Sequence, residues 1–458
     1  MAERRSIALI GAGSAMFTQG LVADMIVSGQ PWDLRLVDID PKALQTAAGL
    51  SRRMVEAREA DIGIQASTDR RDLLPGCHVV VTTIGVGGRR AWEADVFIPR
   101  RYGIYQPVGD TIMAGGISRA MRMIPAMVDI ARDVVALCPE ALFFNYANPM
   151  TCNCRAVRKA AGANVVGLCI GTIHVVHELA DFIGAPGREV AALAAGINHF
   201  TWIYDLRWNG EDAWPVVRRR LAEERARGGV VVGRDVAPGG DSTMADRGYR
   251  HVAYNPFSWT LFDAYGAYPA VNDRHVVEFF PERFPRGRYY GKTLGVDIMS
   301  FEDVIRHGDA IYERMRAQAA GEVALDDRIF ERAVGEHSQL VDIINAIGAD
   351  TREVFFANVP NNGAIPNLPQ EAVLELTCVA TGRGLLPIQD RHYPDTLAVM
   401  QTRKIAGEEI TVEAALTGSR KLFVEALLVD GCVTDRSAAG KLVDELIAAH
   451  RENLPQFA

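Results

Sequence analysis

The chain has 458 residues, of which 48% are hydrophobic and 23% charged, and this composition is typical of a globular protein and excludes a disordered one. The formal net charge of −8 argues against nucleic acid as a partner. No apolar run approaches the roughly 20 residues that span a bilayer, the N-terminus has no secretory pattern, and the seven cysteines are scattered, so we expect a cytoplasmic protein without a membrane partner or a disulfide framework.

Strand and helix patterns alternate in the first third of the chain. Between the apolar runs, Ala15–Val27 and Met121–Val135 have helical patterns. Continuous apolar strands with helices between them predict a parallel sheet that is covered on both faces. The predicted strands are Ser6–Ile10, Leu34–Val37, Val79–Ile84, Ala141–Asn145 and Asn164–Cys169.

The pattern changes near residue 195. Phe200–Trp208 is predicted as a strand, Trp214–Arg227 as a charged helix and Gly228–Asp241 as a loop, and the later segments are read as mostly helical with a turn at Pro360–Gly363. Two domains are expected because a single core stops growing near roughly 250–300 residues. We predict an α/β protein in which a Rossmann domain of the lactate and malate dehydrogenase type, residues 1–195, is followed by a mixed α+β catalytic domain, residues 196–458.

A glycine turn follows the first predicted strand. Gly11 permits the tight turn, Gly13 lets the backbone approach a pyrophosphate, and the helix that begins after Ser14 supplies free N–H groups. Asp38 ends the second strand, where a carboxylate accepts the ribose hydroxyls and repels the extra phosphate of NADP. The arrangement predicts an NAD site, although a glycine turn of another α/β protein has the same local pattern.

Polar side chains also end two later strands. We assign Thr83, at the end of the strand that starts at Val79, and Asn145 to cofactor contacts. Asn148 precedes a proline, which favours an extended conformation and is predicted to direct its amide into the crevice beyond the strand ends. The plain alternative is a capping asparagine in a turn.

A cysteine and a histidine are candidate metal ligands. Cys169 ends a predicted strand and His199 begins the next region. A thiolate and an imidazole are good ligands for a divalent transition metal, and two protein ligands leave positions open for substrate. A cysteine at a strand end is more often a small buried hydrophobic residue.

Eight motifs, spread over nearly the whole chain, occur in one order: Gly11–Ser14, Val108–Thr111 with Gly115–Ile117, Asn145–Pro149, Gly167–Cys169, Ala195–His199, Asn209–Asp212, Asn358–Gly363 and Leu422–Asp430. In this order they resemble glycoside hydrolase family four. The resemblance implies an enzyme that cleaves O-glycosidic bonds with NAD and a divalent metal, normally manganese. NAD takes hydride from C3 of the sugar, a base removes the C2 proton with help from the metal, the C1 leaving group departs, water adds and the hydride returns.

The resemblance also implies roles for individual residues. Cys169 and His199 hold the metal, Asn148 contacts the substrate hydroxyls beside it, and Asp110 orients or deprotonates O3. Many family members follow the metal cysteine with His or Asp, whereas Ile170 cannot donate a proton. Two nearby histidines can replace it as the general acid, and of these we assign His174; the alternative is that both are ordinary helix histidines.

The C2 base and a substrate ligand are sought in the second domain. The family uses a Tyr or Asp there, and Leu261–Pro269 offers both Asp263 and Tyr265, which share a face on a strand but not on a helix. We favour Asp263. Arg274 is predicted to bind a substrate carboxylate bidentately, with a solvated loop arginine as the alternative.

These assignments leave the sugar open. An α-hexuronide is the preferred small-molecule glycoside because of Arg274, and a neutral α-glucoside or α-galactoside is the alternative. A different class of enzyme, an NAD-dependent 2-hydroxy-acid dehydrogenase, would release NADH stoichiometrically and need no metal. A third alternative, a non-catalytic NAD sensor, would leave the candidate metal ligands without a function. We expect a homodimer or homotetramer.

Overall fold

The computed structural model describes residues 4–227, 255–330, 337 and 339–457. The predicted loop Gly228–Asp241 lies outside these residues. The strands are β1 (Arg5–Ile10), β2 (Trp32–Val37), β3 (Ile62–Ser67), β4 (Val79–Thr82), β5 (Leu142–Asn145), β6 (Val165–Gly167), β7 (Val190–Gly196), β8 (Thr201–Trp208), β9 (Glu211–Asp212), β10 (Tyr268–Ala270), β11 (Arg288–Tyr289), β12 (Lys292–Thr293), β13 (Val354–Pro360), β14 (Val373–Thr381) and β15 (Gly384–Pro387). The α-helices are α1 (Thr18–Ser28), α2 (Pro41–Ala57), α3 (Gly88–Arg100), α4 (Met113–Leu137), α5 (Met150–Ala161), α6 (Gly171–Ile183), α7 (Trp214–Ala226), α8 (Pro256–Tyr265), α9 (Asp273–Val276), α10 (Phe301–Ala320), α11 (Leu340–Ala349), α12 (Asp395–Thr417), α13 (Arg420–Asp430) and α14 (Arg436–Ala449).

One large sheet runs through the molecule. Its order is β10-β8-β7-β14-β13-β6-β5-β4-β1-β2-β3, with β15 beside β14 and β9 beside β8. From β3 to β6 all neighbours are parallel, in the order 3-2-1-4-5-6 of a dinucleotide-binding sheet. The predicted α/β class and Rossmann half are therefore confirmed. Ile7 of β1, which pairs with both Leu34 and Val79, is fully buried, as expected for a strand covered on both faces.

The second half of the sheet is antiparallel and was only partly predicted. β8 and α7 form close to the expected positions, but the expectation that the later segments are mostly helical is wrong for β13 and β14, which extend the sheet from β6. Both strands are short apolar runs, and such runs cannot be told from a buried helix by periodicity alone. Because the sheet continues through β7, the boundary at residue 195 stays a prediction.

The parallel strands bring the polar loops to one edge of the sheet. β1, β4, β5 and β6 all end at this edge, and their strand order reverses between β1 and β4. Ligands of open α/β sheets bind in the crevice at such a point. None of the helices in the described ranges is both long and apolar enough to cross a membrane.

Candidate active site

A cavity of about 300 Å³ lies at the carboxyl ends of the parallel strands. Its walls come from the glycine turn after β1, the loop after β4, the start of α6 and the segment around α9. Much of the predicted site is brought together here. The predicted residues that line the cavity are Ser14, Thr83, Asp110, Asn148, Cys169, His174 and His199.

The glycine turn has the shape that a dinucleotide needs. Gly11 has φ of +93°, and a Cβ on it would lie 2.8 Å from the backbone nitrogen of Ile84. A Cβ on Gly13 would lie 2.9 Å from Oδ2 of Asp38, whose carboxylate accepts a hydrogen bond of 2.8 Å from the Gly13 N–H. Thr83 donates its hydroxyl to the Gly11 carbonyl at 2.9 Å. The turn is thus held between β2 and β4 with no room for side chains.

The two asparagines after β5 have different positions. Asn145 is fully buried, accepts hydrogen bonds from Thr82 and from the Ala147 N–H, and does not line the cavity. The side chain of Asn145 shapes the turn after β5, and its assignment to a direct cofactor contact stays a prediction. Asn148 does line the cavity, donates from Nδ2 to Asp110 at 2.9 Å, and has a buried Oδ1 without a hydrogen-bond partner among the described residues.

A carboxylate and two imidazoles form a compact cluster beside Asn148. One ligand atom each from Asp110, His199 and His275 lies within 4.8 Å of the others. The rings of His199 and His275 have centroids 4.2 Å apart. The hydroxyl of Thr111 lies 2.7 Å from Oδ1 of Asp110 and 2.8 Å from Nδ1 of His199. Donors of these types are suited to a divalent metal ion.

The charge state of this cluster follows from burial and from its neighbours. Burial raises the pKa of Asp110 by favouring the neutral acid. The pKa nevertheless lies below its ordinary value, because charge interactions with His199 and His275 favour the carboxylate. Arg119 and the hydroxyl of Thr111 act in the same direction. Burial lowers the pKa of His199, and lowers that of His275 well below its usual range. At neutral pH both imidazoles are uncharged, and Arg119 remains as the cation that favours the carboxylate.

The segment between β6 and α6 supplies a thiol to the cavity, and the first turn of α6 supplies a third imidazole. Cys169 is buried in the cavity wall, and its Sγ accepts from the Gly171 N–H at 3.4 Å. Cys169 shares the cavity with His199 but lies outside the compact cluster described above. Nε2 of His174 lies 2.9 Å from Oε1 of Glu178, in an alignment that does not make a hydrogen bond. Both side chains line the cavity.

A buried glutamate of β14 ties the thiol segment to the histidine turn. Glu375 accepts hydrogen bonds from the hydroxyl of Thr172 at 2.7 Å, from Nδ2 of Asn198 at 3.1 Å and from the hydroxyl of Thr201 at 2.9 Å. His199, in the same turn as Asn198, has φ of +64°, a left-handed conformation that non-glycine residues seldom adopt. The network fixes a turn that local propensity does not favour.

Two side chains from the segment around α9 form hydrogen bonds with the backbone of the loop that carries Asp110. Glu278 accepts from the N–H groups of Val108 and Gly109 at 2.8 and 3.0 Å. Arg274 donates from Nε and Nη2 to the carbonyl of Pro107 at 3.4 and 3.3 Å, and it does not line the cavity. The structure places Arg274 against the loop and outside the cavity, and its assignment as a substrate-carboxylate ligand stays a prediction.

The two candidate bases of the second domain lie away from the cavity. Asp263 and Tyr265 belong to helix α8, where residues two apart do not share a face. Asp263 is half-exposed and pairs with Arg225 at 2.6 Å, and the hydroxyl of Tyr265 accepts from Arg283 at 3.3 Å. Neither lines the cavity, so the structure does not bring them to the other site residues, and their assignment as the C2 base stays a prediction.

Two cavity residues escaped the sequence-based assignment. His275 follows Arg274 in the short helix α9, and successive helical residues point in directions about 100° apart. The polar run that contains both residues was recognised, but only Arg274 was assigned to the site. Arg119 lies on α4 just after the Gly115–Gly116 pair. A Cβ on Gly116 would lie 2.2 Å from the Thr111 carbonyl carbon, so this glycine lets α4 approach the Asp110 loop. The Gly115–Gly116 pair was the feature of the sequence that could have indicated this close approach.

Comparison with known protein families decides the class of this site. The model of the family 4 glycosyl hydrolases matches residues 6–185, and the model of the family's C-terminal domain matches residues 194–433. The chain belongs to glycoside hydrolase family 4. This family 4 chain is consequently a glycosidase, and neither the dehydrogenase nor the NAD-sensor alternative applies.

Full-length relatives of this family 4 enzyme carry names of several α-glycosidases. An alpha-galactosidase of Bacillus subtilis (strain 168) is 28% identical over 459 residues, which cover 99% of this chain and 100% of the relative. An alpha-galacturonidase of the same strain is 30% identical, with 97% of each chain covered. Among solved structures, the Bacillus subtilis protein lplD matches with a TM-score of 0.83 and 26% identity over 97% of this chain and 100% of that chain.

The fold of this family 4 hydrolase is shared more widely. A 6-phospho-alpha-glucosidase from gut microorganisms, solved with NAD and glucose-6-phosphate, has a TM-score of 0.84 at 20% identity, with 99% of this chain and 100% of that chain covered. A lactate dehydrogenase of Eimeria maxima has a TM-score of 0.51 at 14% identity, with 91% and 97% covered. These two similarities concern the fold alone.

Proposed function

We propose that this enzyme hydrolyses unphosphorylated α-glycosides with the help of NAD and a divalent metal ion, normally Mn²⁺. One observation carries the proposal: the dinucleotide turn after β1 and the candidate metal ligands Cys169 and His199 open into the same cavity. A hydride acceptor and a metal ion bound at these two places would both reach one sugar ring. The names of the full-length relatives support the α configuration.

The residues present fit NAD. The turn at Gly11 and Gly13 leaves backbone where Cβ atoms would collide, and Ser14 lines the cavity. Asp38 closes β2 beside Gly13, and a carboxylate at this place binds ribose hydroxyls and repels the 2′-phosphate of NADP. NAD is therefore expected over NADP.

The residues present also fit a divalent metal ion. Cys169 and His199 line one cavity, and Asp110 and His275 add a carboxylate and an imidazole beside His199. The partnerless Oδ1 of Asn148 is a buried acceptor that a cation or a sugar hydroxyl would satisfy. We propose Cys169 and His199 as protein ligands, with Asn148 facing the sugar hydroxyls.

The chain's own groups then hold and move protons. When bound, NAD would accept and return the C3 hydride, and the metal ion would acidify the C2–H bond through the sugar oxygens. The carboxylate of Asp110, ionised at neutral pH, accepts the proton of the C3 hydroxyl. Asn148 donates to Oδ2 of Asp110 and so orients the carboxylate for this transfer.

We assign the general acid to His174. It lines the cavity next to Glu178, which can hold a protonated imidazole in place. His174→Ala should lower kcat/KM strongly for a methyl glycoside and little for a nitrophenyl glycoside, whose leaving group needs no proton. Equal losses for both substrates would contradict this role, and His177→Ala provides the matched control because His177 does not line the cavity.

The charges of the cavity favour an unphosphorylated sugar. Among the described lining residues, Asp110 and Glu178 carry carboxylates and only Arg119 carries a guanidinium, so no excess of positive charge awaits a phosphate dianion. A second candidate, an α-hexuronide, is favoured by Arg119, since a guanidinium fork matches a planar carboxylate. Arg119→Lys should then raise KM for a galacturonide more than for the matched galactoside, by about ten- to a hundredfold, the equivalent of about 1.5–3 kcal/mol. Equal effects on the KM values of both substrates would exclude the hexuronide and leave a neutral hexoside as the proposed substrate.

A panel of nitrophenyl α-glycosides tests the function. It contains galactoside, glucoside, galacturonide, glucuronide and the 6-phosphates, each with NAD, Mn²⁺ and a thiol reductant. Cleavage should require NAD, stop with EDTA and return with Mn²⁺. Cys169→Ser and His199→Ala should abolish it, whereas Cys432→Ser, outside the cavity, should not. Full activity after exhaustive chelation would overturn the metal assignment.

We also propose a cytoplasmic homo-oligomer. A reducing compartment suits the Cys169 thiol that the metal role requires. Val354, Leu386 and Val399 of the second half are exposed apolar residues that subunit contacts would cover. Sedimentation equilibrium tests the assembly, and a monomer at micromolar concentration would refute it.

A further inference from the structure

The hydroxyl of Thr111 is shared by two groups of the site. It lies 2.7 Å from Oδ1 of Asp110 and 2.8 Å from Nδ1 of His199. Thr111 and His199 are both buried. A hydroxyl carries one proton and can accept through its lone pairs, so it donates to one neighbour and accepts from the other.

The direction of these hydrogen bonds follows from the carboxylate. Oδ2 of Asp110 accepts from Nδ2 of Asn148 at 2.9 Å, and Oδ1 faces Thr111, so both carboxylate oxygens act as acceptors. Thr111 therefore donates its proton to Asp110. Its lone pair must then accept from His199, which places the imidazole proton on Nδ1.

We propose that Thr111 is a positioning residue that selects the Nδ1–H tautomer of His199 and so presents the Nε2 lone pair to the divalent metal ion. The proposal rests on the proposed metal-dependent function. In the described part of the chain no hydrogen bond engages Nε2 of His199, so that nitrogen is left for a ligand. Metal-binding histidines commonly hold their second ring nitrogen in this way, which fixes both the tautomer and the ring orientation.

The fold holds the backbone around Thr111 in place from two sides. The loop that carries Thr111 is pinned by Glu278 through the N–H groups of Val108 and Gly109. Gly116 of α4 packs against the Thr111 backbone so closely that a Cβ would lie 2.2 Å from its carbonyl carbon. The position of the hydroxyl is thus set by the fold before any ligand binds.

Two variants separate the hydroxyl from the shape of the side chain. Thr111→Val keeps the branched shape and removes the hydroxyl, and Thr111→Ser keeps the hydroxyl. Titration calorimetry with Mn²⁺ alone, without NAD or substrate, should show a loss of about ten- to a hundredfold in affinity for Thr111→Val and about threefold or less for Thr111→Ser. NAD affinity should be unchanged in both. Wild-type Mn²⁺ affinity in Thr111→Val would overturn the proposal.

A second measurement reads the tautomer directly in the metal-free protein. Long-range ¹H–¹⁵N correlation on protein labelled at its ten histidines distinguishes protonated from unprotonated ring nitrogens, and His199→Gln assigns the signal. We expect Nδ1 to be protonated in the wild type and the preference to be lost in Thr111→Val but kept in Thr111→Ser. A proton on Nε2 in the wild type would refute the proposal. If the wild type takes up no Mn²⁺, the proposed function fails, while this measurement still decides the tautomer.

Discussion

Replacing Glu375 should show how strongly its buried hydrogen bonds support the turn that carries His199. Three side chains donate to this buried carboxylate: Thr172, Asn198 and Thr201. In Glu375→Met all three lose their acceptor, but the Thr201 hydroxyl retains the Ile197 carbonyl at 3.2 Å. Two buried groups are left unsatisfied at about 1–3 kcal/mol each, which gives a destabilisation of about 4 kcal/mol.

Glu375→Gln is the matched control for this change. The glutamine oxygen can still accept from Asn198 and Thr201, and the Thr172 hydroxyl can rotate to accept from the new amide, so we expect a loss of about 1 kcal/mol. Urea unfolding followed by circular dichroism measures the difference as a shift of the midpoint at unchanged m-value. The Met variant should also lose kcat/KM, because the turn carries His199. Equal midpoints for Met and Gln would refute the network argument.

Three further predictions follow from other parts of the site. Gly13→Ala should weaken NAD binding by about tenfold or more, about 1.4 kcal/mol, because the new methyl group would lie 2.9 Å from Asp38 Oδ2. Fluorescence titration with NAD measures the affinity, and Gly440→Ala in α14 is the control. Equal NAD affinities for the two variants would contradict the steric argument. Burial raises the pKa of Glu278 to about 8 from 4.5. The folded protein therefore favours the protonated acid, so stability should fall as pH rises from about 5 to 8 relative to Glu278→Gln, and a constant difference in Tm would disprove this. Asp263→Asn should leave kcat/KM unchanged, because Asp263 lies outside the cavity and its exposed ion pair with Arg225 contributes only about 0–1 kcal/mol to folding stability. A collapse of activity would support Asp263 as the C2 base.

Local patterns predicted the parts of the site that lie within one βα unit. The positions from Gly11 to Asp38 depend on one turn and two neighbouring strands, and the structure places them as expected. Thr83, Asn148 and Cys169 follow strands that are parallel, and parallel strands end at a common edge, so their meeting was also predictable.

Residues that reach the cavity from the second half were beyond local reasoning. Arg274 and His275 are neighbours in the chain, and one step around α9 decides which faces the cavity and which supports the loop from behind. Asp263 and Tyr265 would share a face on a strand, whereas they lie in helix α8, where they do not. Glu375 could not be foreseen because its partners lie far away in the chain, at the start of α6 and in the turn that leads into β8.

The most direct test of the account is hydrolysis of the accepted α-glycoside in deuterium oxide with NAD and Mn²⁺. If the C2 proton is removed and replaced during cleavage, NMR should find deuterium at C2 of the released sugar. NADH absorbance should not accumulate, because the hydride returns in each turnover. A product with hydrogen retained at C2, or stoichiometric NADH without sugar release, would contradict the account.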